Sequence, residues 1–418
     1  MTQRLYPLRG SLSWSQNHRS LYNPVFETSK ARTATLLVTL AVTVVLGVQA
    51  GTVVASARQT AAREVPEPGV AAKAWALADL RSGEYLAGEN VSKELPIAST
   101  TKIMAALVVL EEADPGEEVT VLKNAAAYAT PAYSNVGLLP GDTLSVRELL
   151  MAALISSGDD AAYALAEHVG GGGEAGVNRF VEEMNERARV LGLKHTHFEN
   201  PVGFDARGQY SSAGDLAEMA RLAMRNPEFR KIVSTEYATI RTPYREIPLT
   251  NTNELLFTYG PATGIKTGTT PDAGESLVSS ASTGDESYVC VVLDSKEDRF
   301  AASVRALRYG FVAYDRKDLV VEGRRYASVD VPFRRDKTVD LVAQGSVDDL
   351  VGAKPDIERE VELVEDLPDS ARAGTRLGEV VVKVDGKKVG ETGLVAKKGY
   401  EKASLGQRVW YTVGGIFD

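Results

Sequence analysis

Two side chains near the start of a predicted helix could form an activated serine nucleophile. Ser99 and Lys102 belong to Ser99-Thr-Thr-Lys102, the only S-x-x-K in the sequence. Residues three apart lie on one face of a helix, so the hydroxyl and the amine can approach each other. A serine at a helix N-terminus also lies beside backbone N–H groups that can stabilise an oxyanion. About one chance match is expected in a chain of this length, so this motif alone is a weak indication.

Two further motifs make the indication stronger. Ser157-Gly158-Asp159 falls in a break between predicted helices, and Lys266-Thr267-Gly268 falls at the end of a predicted strand. Each has an ordinary structural explanation, namely a helix–turn–helix capped by Asp159 or Asp160 and a solvated lysine before a turn. Together, in this order on a helix start, a loop and a strand end, the three motifs resemble the signature of penicillin-binding proteins and class A β-lactamases.

The composition excludes several other classes of protein. At 418 residues, with 44% hydrophobic and 25% charged side chains, the chain can fold as two or three domains. A net charge of -9 argues against sequence-independent binding to nucleic acid. Cys290 is the single cysteine, which excludes an intramolecular disulfide, and it lies in a predicted core strand. With four histidines and no H-E-x-x-H, neither a metal nor another cofactor is expected.

The N-terminal region has the features of an export signal. A basic n-region, 1–33, precedes a hydrophobic segment, 34–57, which is long enough to cross a bilayer as a helix. The positive flank predicts a cytoplasmic N-terminus and export of the remainder. Ala55-Ser-Ala57 favours a removable signal peptide, whereas the long n-region favours an uncleaved anchor. A Pro-containing linker follows at 58–68.

Residues 69–316 are predicted to form a mixed α/β domain. Apolar alternation predicts a strand at 72–80 that turns into a short return strand. The residues at 103–110 are apolar on nearly every side, so this helix is expected to be central and buried. Ser145-Val-Arg-Glu148 is a capping box for a helix that ends near Ile155. The other predicted elements are a helix at 177–191, strands at 236–242, 263–267, 276–283 and 287–294, and a closing helix at 299–314.

Residues 317–418 are predicted to form a separate, small β-rich domain. Strands are expected at 327–331, 338–342 and 380–384. Asp385-Gly386 indicates a hairpin turn directly after the last of these strands.

Longer segments resemble the serine-type D-alanyl-D-alanine carboxypeptidases, the low-molecular-mass penicillin-binding proteins. The resemblance covers about 69–412 and implies an α/β (α+β) transpeptidase domain of the penicillin-binding-protein/β-lactamase type, with a helical insertion and a small all-β C-terminal domain. Many members end in an amphipathic membrane helix. None is predicted here, so any anchoring is expected from the N-terminal segment. The segments that carry the resemblance are 96–104, 200–205, 208–213 with Asp215, 251–253, 264–270, 273–274, 377–378 and 385–386.

The resemblance implies a role for each motif residue. Ser99 is expected to attack the penultimate D-Ala carbonyl of a peptidoglycan stem peptide, and the backbone N–H groups of Ser99 and Thr269 would hold the oxyanion. Lys102 is the expected base, since burial near the cationic Lys266 would lower its pKa, and Ser157 would relay the proton to the departing D-alanine. β-Lactams are expected to acylate the same serine. The expected substrate-binding residues are Asp159, Lys266, Thr267, Gly268, Thr269 and Arg299, although Arg299 could also be an ordinary arginine at a helix start.

Asp159 stands where the family usually has asparagine. An asparagine can donate a hydrogen bond to the substrate, whereas an ionised aspartate can only accept one. A carboxylate beside Lys102 would also favour the charged amine, which opposes the role of a base. Three outcomes follow: Asp159 is protonated, it pairs with Lys266 instead, or the activity is weak or shifted in pH. We expect a working enzyme with an altered pH profile.

Three other functions use the same residues. A class A β-lactamase would need a deacylating glutamate, for which Glu199 is the candidate. An endopeptidase would cut D-Ala cross-links, and a catalytically silent homologue would only bind the cell wall, with Asp159 as the lesion. His195-x-His197 lacks a third histidine or a cysteine, so it is not expected to bind a metal.

Overall fold

The computed structural model describes residues 65–334 and 337–414. The predicted n-region, the hydrophobic segment at 34–57 and most of the predicted linker lie outside these residues. Within the described ranges, every helix is too short or too polar to cross a membrane.

The first part of the described chain is a mixed α/β domain. Its elements, in chain order, are β1 (Ala72–Asp79), β2 (Tyr85–Glu89), α1 (Lys102–Glu112), β3 (Glu118–Thr120), α2 (Lys123–Ala126), β4 (Thr143–Ser145), α3 (Val146–Ile155), α4 (Asp159–Val169), α5 (Gly173–Val190), α6 (Ala213–Ala223), α7 (Pro227–Val233), β5 (Tyr237–Arg241), β6 (Glu246–Thr250), α8 (Leu255–Thr258), β7 (Ala262–Thr270), β8 (Gly274–Thr283), β9 (Glu286–Ser295) and α9 (Arg299–Ala313).

A five-stranded antiparallel sheet of order β2-β1-β9-β8-β7 forms the centre of this domain. Successive side chains of a strand point to opposite faces, and both faces of β9 are covered. Val289, Val291 and Leu293 join the core on the side of the helical insertion. Cys290 and Val292 pack on the other side, in the cluster that α9 contributes to. The predicted strand at 287–294 and the buried position of Cys290 are confirmed. Burial raises the pKa of the Cys290 thiol to about 12.

The predicted helices of the insertion form, as α1, α3 and α5, whereas α6 and α7 are two further helices that were not predicted. Every residue of α1 from Lys102 to Val109 is buried, which explains why the helix is apolar on nearly all sides. The capping box is present, because the Ser145 side chain accepts from the N–H of Glu148 and the Glu148 carboxylate accepts from the N–H of Ser145. The predicted strand at 236–242 does form, as β5. However, it pairs with β6 in a separate hairpin and not with the central sheet.

The C-terminal part is rich in strands, as predicted. Its elements are β10 (Asp315–Val320), β11 (Arg325–Asp330), β12 (Thr338–Ala343), β13 (Val347–Val351), β14 (Ile357–Leu363), β15 (Arg376–Val384), β16 (Lys387–Ala396) and α10 (Leu405–Gly414). A five-stranded sheet has the order β11-β12-β16-β15-β14, and β10 pairs with β13. The predicted hairpin turn is confirmed: Asp385 and Gly386 connect β15 and β16 with φ of 50° and 77°.

Helix α10 corrects the prediction that no helix follows the β domain. Leu405, Val409 and Val413 recur every fourth residue, which is a helical spacing, and all three are exposed. The pattern is only ten residues long and begins close to a glycine, Gly406, so it is a weak signal in the sequence.

Ion pairs join the C-terminal strands to the end of β1. Arg316 contacts Asp79 at 2.8 Å and Asp348 at 3.1 Å, and Arg81 contacts Asp348 at 2.7 Å. Asp79 is 1% exposed and also accepts hydrogen bonds from the turn that follows β1.

Candidate active site

Ser99 and Lys102 meet at the start of the central helix, as their spacing predicts. Ser99 lies in a short 3-10 turn, Ala98–Thr101, that runs directly into α1. Lys102 is the first residue of α1, and its Nζ lies 2.8 Å from Ser99 Oγ. The lysine side chain is 1% exposed, so the reactive pair stands at the edge of the protein core.

Two further groups complete the environment of the Lys102 amine. Asp159 Oδ1 accepts from Nζ at 2.6 Å, and the carbonyl oxygen of Val202 accepts at 2.8 Å. An ammonium has three N–H donors, so it can satisfy Ser99, Asp159 and Val202 together. A neutral amine can keep two of these bonds and direct its lone pair to the Ser99 hydroxyl. The same geometry therefore fits the lysine before and after it loses a proton.

The charge state of Lys102 depends on two opposing effects. Complete burial lowers the pKa of Lys102, while the Asp159 carboxylate raises it in part. Burial and the positive charge of Lys102 together place the pKa of Lys266 well below its ordinary range. Of the outcomes expected for Asp159, the structure shows its carboxylate on Lys102 and not on Lys266.

Strand β7 brings the third motif against the nucleophile. Lys266 is 1% exposed and donates to the carbonyl oxygen of Thr267 at 3.0 Å. The Thr267 hydroxyl lies 2.7 Å from the hydroxyl of Thr252. Gly268 packs so closely on the 3-10 turn that a Cβ would lie 2.9 Å from the carbonyl oxygen of Ile97, so a side chain here would push β7 away from Ser99.

Arg299 supports the end of β7. Its Nη1 donates to the carbonyl oxygen of Gly268 at 3.0 Å and to Thr269 Oγ1 at 2.7 Å. Burial lowers the pKa of Arg299. These bonds show a partly buried arginine that fixes Thr269, and not an ordinary surface arginine.

The second motif forms the tight turn between α3 and α4. Ser157 is buried and has a φ of 61°, a conformation that non-glycine residues rarely adopt. Two residues later, the N–H of Asp159 donates to the carbonyl oxygen of Ser134 at 2.7 Å. The turn thus places the Asp159 carboxylate on Lys102 and also ties α4 to the loop around Ser134.

A cavity of about 440 Å³ opens onto Ser99. Asp159 and Thr269 line it together with Ser99, so one residue from each motif region meets there. Lys102 and Lys266 are buried behind this surface. The residues that line the cavity are Ser99, Ala132, Tyr133, Ser134, Asp159, Gly203, Phe204, Asp205, Thr269, Thr270 and Pro271; Ser157, Thr267 and Arg299 are not among them.

Some residues of the site escaped the sequence-based assignment. Val202 contributes only its backbone, and the fixed position of that backbone depends on Asn200, whose Oδ1 accepts from the N–H groups of Gly203 and Phe204 at 2.7 and 3.0 Å. Gly203 is required because a Cβ would lie 1.9 Å from the carbonyl oxygen of Ala98. The only signal for this contact was the asparagine–glycine spacing within the segment 200–205.

The remaining candidates lie away from the cavity. Glu199, the candidate for a deacylating glutamate, lies 3.5 Å from His197, and its carboxylate is close to Gly208. His195 contacts a different carboxylate, Glu94, at 3.3 Å. In the part of the chain that the structure describes, no group of three or more histidine, cysteine or acidic residues could hold a metal ion.

Family models and curated relatives both match this chain to the same family of proteins. Residues 59–297 match the family described as D-alanyl-D-alanine carboxypeptidase (peptidase S11), and residues 314–402 match the C-terminal domain of penicillin-binding protein 5. The chain is 34% identical to the carboxypeptidase DacC of Escherichia coli, over 84% of this chain and 89% of that protein. It is 31% identical to DacF of Bacillus subtilis, over 80% of this chain and 87% of that protein.

Solved structures show the same relationship. Penicillin-binding protein 5 of Haemophilus influenzae superposes with a TM-score of 0.64 at 29% identity, over 81% of this chain and all (100%) of that one. The Streptomyces K15 DD-transpeptidase superposes with a TM-score of 0.56 at 35% identity, over 59% of this chain and 99% of that one. The chain therefore belongs to the D-alanyl-D-alanine carboxypeptidase family of low-molecular-mass penicillin-binding proteins, and it is a serine-type carboxypeptidase.

Proposed function

We propose that the protein removes the terminal D-alanine from peptidoglycan stem pentapeptides through an acyl-enzyme on Ser99. The observation that supports this most directly is that Lys102 is hydrogen-bonded to both Ser99 and Asp159. Ser99 and Asp159 line the cavity, together with Thr269. A nucleophile within hydrogen-bond distance of its base, with the base held by a third group, is the arrangement that activated serines require.

The proposed reaction uses these residues in turn. The neutral Lys102 amine takes the proton of Ser99 Oγ as that oxygen attacks the penultimate D-Ala carbonyl carbon. The backbone N–H groups of Ser99 and Thr269 stabilise the oxyanion, and Ser157 passes the proton to the nitrogen of the departing D-alanine. Water then attacks the ester carbonyl, which releases the shortened peptide and regenerates the Ser99 hydroxyl.

The substrate's terminal carboxylate needs cationic and hydroxyl partners. Lys266, Thr267 and Thr269 supply them along β7, and Arg299 holds the Thr269 hydroxyl in place. Gly268 keeps the strand close to Ser99. A β-lactam would acylate Ser99 by the same attack, since its strained amide occupies the place of the peptide bond and its carboxylate that of the peptide terminus.

We further propose that residues 58–418 act outside the cytoplasmic membrane, at the cell wall. The basic residues before the hydrophobic segment at 34–57 support export, and this segment would serve as a signal peptide or as a membrane anchor. We take 69–316 as the catalytic domain and 317–418 as the C-terminal domain. The change from mixed elements to strands after α9, at Asp315, supports this division.

The test is D-alanine release by the full chain in detergent, from a peptide ending in Lys-D-Ala-D-Ala. Release that disappears in Ser99→Ala and persists in Ser92→Ala, the same change at an exposed serine, is the expected result. Labelling of Ser99 by fluorescent penicillin without any release of D-alanine would contradict the proposal and would favour an endopeptidase, whereas the absence of both labelling and release would favour a silent wall-binding protein.

A further inference from the structure

The cavity around Ser99 has an outer wall that none of the steps above uses. Tyr133 and Phe204 form this wall, with their ring centroids 5.0 Å apart. Tyr133 is 40% exposed although it is a large aromatic side chain. Aromatic faces exposed beside a nucleophile provide apolar surface for a part of the substrate other than the reacting amide.

This aromatic wall is held from behind. Tyr128 packs against both rings, at 5.1 Å from Tyr133 and 5.4 Å from Phe204, and Tyr163 packs against Tyr128 at 4.8 Å. The wall is therefore formed before any ligand arrives, which reduces the entropy lost on binding.

The loop that carries Tyr133 is also fixed to α4. The Asp160 carboxylate is 0% exposed and accepts from the backbone N–H groups of Val136 and Leu138, at 3.2 and 3.0 Å. The neighbouring N–H of Asp159 binds the carbonyl oxygen of Ser134. The same helix start thus positions both the Lys102 partner and the aromatic wall.

An exposed carboxylate stands next to the wall. Asp205 follows Phe204 and lines the same cavity. Its Oδ1 accepts from Thr270 Oγ1 at 2.6 Å, and its Oδ2 accepts from the N–H of Asp272 at 3.1 Å. Each carboxylate oxygen has a second lone pair, so Asp205 can still accept from a cation. The inner side of the site carries the buried amines of Lys102 and Lys266, whereas this outer side carries an exposed carboxylate.

We propose that Tyr133, Phe204 and Asp205 form a subsite for the side chain of the diamino acid that precedes D-Ala-D-Ala. This inference rests on the proposed carboxypeptidase function. The methylene groups of such a side chain would lie on the two rings, and its terminal ammonium would reach the Asp205 carboxylate. L-Lysine and meso-diaminopimelate share this chemistry. The second carboxylate of diaminopimelate would meet a like charge at Asp205, so the subsite favours lysine.

The test compares kcat/KM for D-alanine release from four peptides ending in D-Ala-D-Ala. They carry Nα-acetyl-L-lysine, the same residue with an acetylated ε-amine, meso-diaminopimelate, or Nα-acetyl-L-alanine at the preceding position. We expect the lysine peptide to exceed the alanine peptide about 10-fold or more, because apolar contact and charge pairing add. In Tyr133→Ala the ratio of kcat/KM between the lysine and alanine peptides falls toward one. In Asp205→Asn the lysine peptide no longer exceeds the peptide with the acetylated ε-amine.

A matched variant and a second measurement separate the possible outcomes. Tyr244→Ala removes a tyrosine that is 83% exposed and lies outside the cavity, so it keeps the wild-type ratio. Protection of Ser99 from fluorescent penicillin by each peptide reports binding even without turnover, and labelling shows that a variant has folded. Equal kcat/KM and equal protection for the lysine and alanine peptides would overturn the subsite. Ranked protection without D-alanine release would support the subsite and contradict the carboxypeptidase proposal.

Discussion

Replacing Asp159 with asparagine tests how the buried ion pair controls the base. In the wild type, burial lowers the pKa of Lys102 and the Asp159 carboxylate raises it. An asparagine side chain is uncharged, so Asp159→Asn removes the carboxylate that raises the pKa of Lys102 but keeps the burial that lowers it. The pKa of Lys102 should therefore fall further. A larger fraction of the lysine is then neutral at any given pH. We therefore expect the acidic limb of the pH–rate profile to move to lower pH.

The size of the effect follows from the contact. Asp159 Oδ1 and Lys102 Nζ are 2.6 Å apart, and the two side chains are 5% and 1% exposed, so solvent screens the pair very little. A hydrogen bond to a charged group contributes about 1.5–3 kcal/mol. Since about 1.4 kcal/mol is a factor of ten, kcat/KM well below the pH optimum should rise about 10- to 150-fold.

The assay is D-alanine release measured across a broad pH range, together with the rate of acylation by penicillin. Asp366→Asn makes the same chemical change at an exposed position in the C-terminal domain, and it should leave both profiles unchanged. If Asp159→Asn left the acidic limb where it was, Lys102 would not be the titrating base, and the role assigned to this ion pair would be wrong.

Three further changes have defined outcomes. Thr252→Val removes the 2.7 Å contact with the Thr267 hydroxyl. A hydrogen bond that contributes about 1 kcal/mol corresponds to a rise of about 5-fold in KM for the peptide, and steady-state assays should show little change in kcat. Gly203→Ala forces a Cβ to within 1.9 Å of a carbonyl oxygen and should destabilise the fold by about 2–4 kcal/mol, measured by thermal unfolding. The control is Gly137→Ala, where φ is 76° but no atom lies near the new Cβ, and it should lose less stability. Ser145→Ala removes the capping box of α3 and should cost about 1 kcal/mol in denaturant unfolding without changing kcat; an unchanged midpoint would argue against the cap.

Local patterns account for what could be predicted from the sequence. The spacing of Ser99 and Lys102 determines that they share a helix face, and the serine–glutamate pair at 145 and 148 determines where α3 begins. Strand β9 was recognisable because a sheet covered on both faces requires a continuous apolar run. Each of these signals involves residues that are close along the chain.

The features that could not be predicted depend on contacts between distant segments. Nothing near Asp159 in the sequence indicates whether its carboxylate meets Lys102 or Lys266. The aromatic wall joins rings from two separate loops, and the rings packed behind it include Tyr163 of α4, so these residues share no common period. Helix α10 was missed because its apolar residues, such as Leu405, remain exposed, so they add no signal of core packing to a short pattern.

The hydrogen bonds of Lys102 also have a consequence for folding. Its partners Asp159 and Val202 lie 57 and 100 residues further along the chain, so these contacts close long loops and form after local helices. Until they form, the lysine is hydrated and carries its proton, and Ser99 is an ordinary unreactive hydroxyl. A partly folded chain is therefore inert toward peptides and toward penicillin, and the rate at which penicillin labelling develops during refolding measures the closure of the whole catalytic domain.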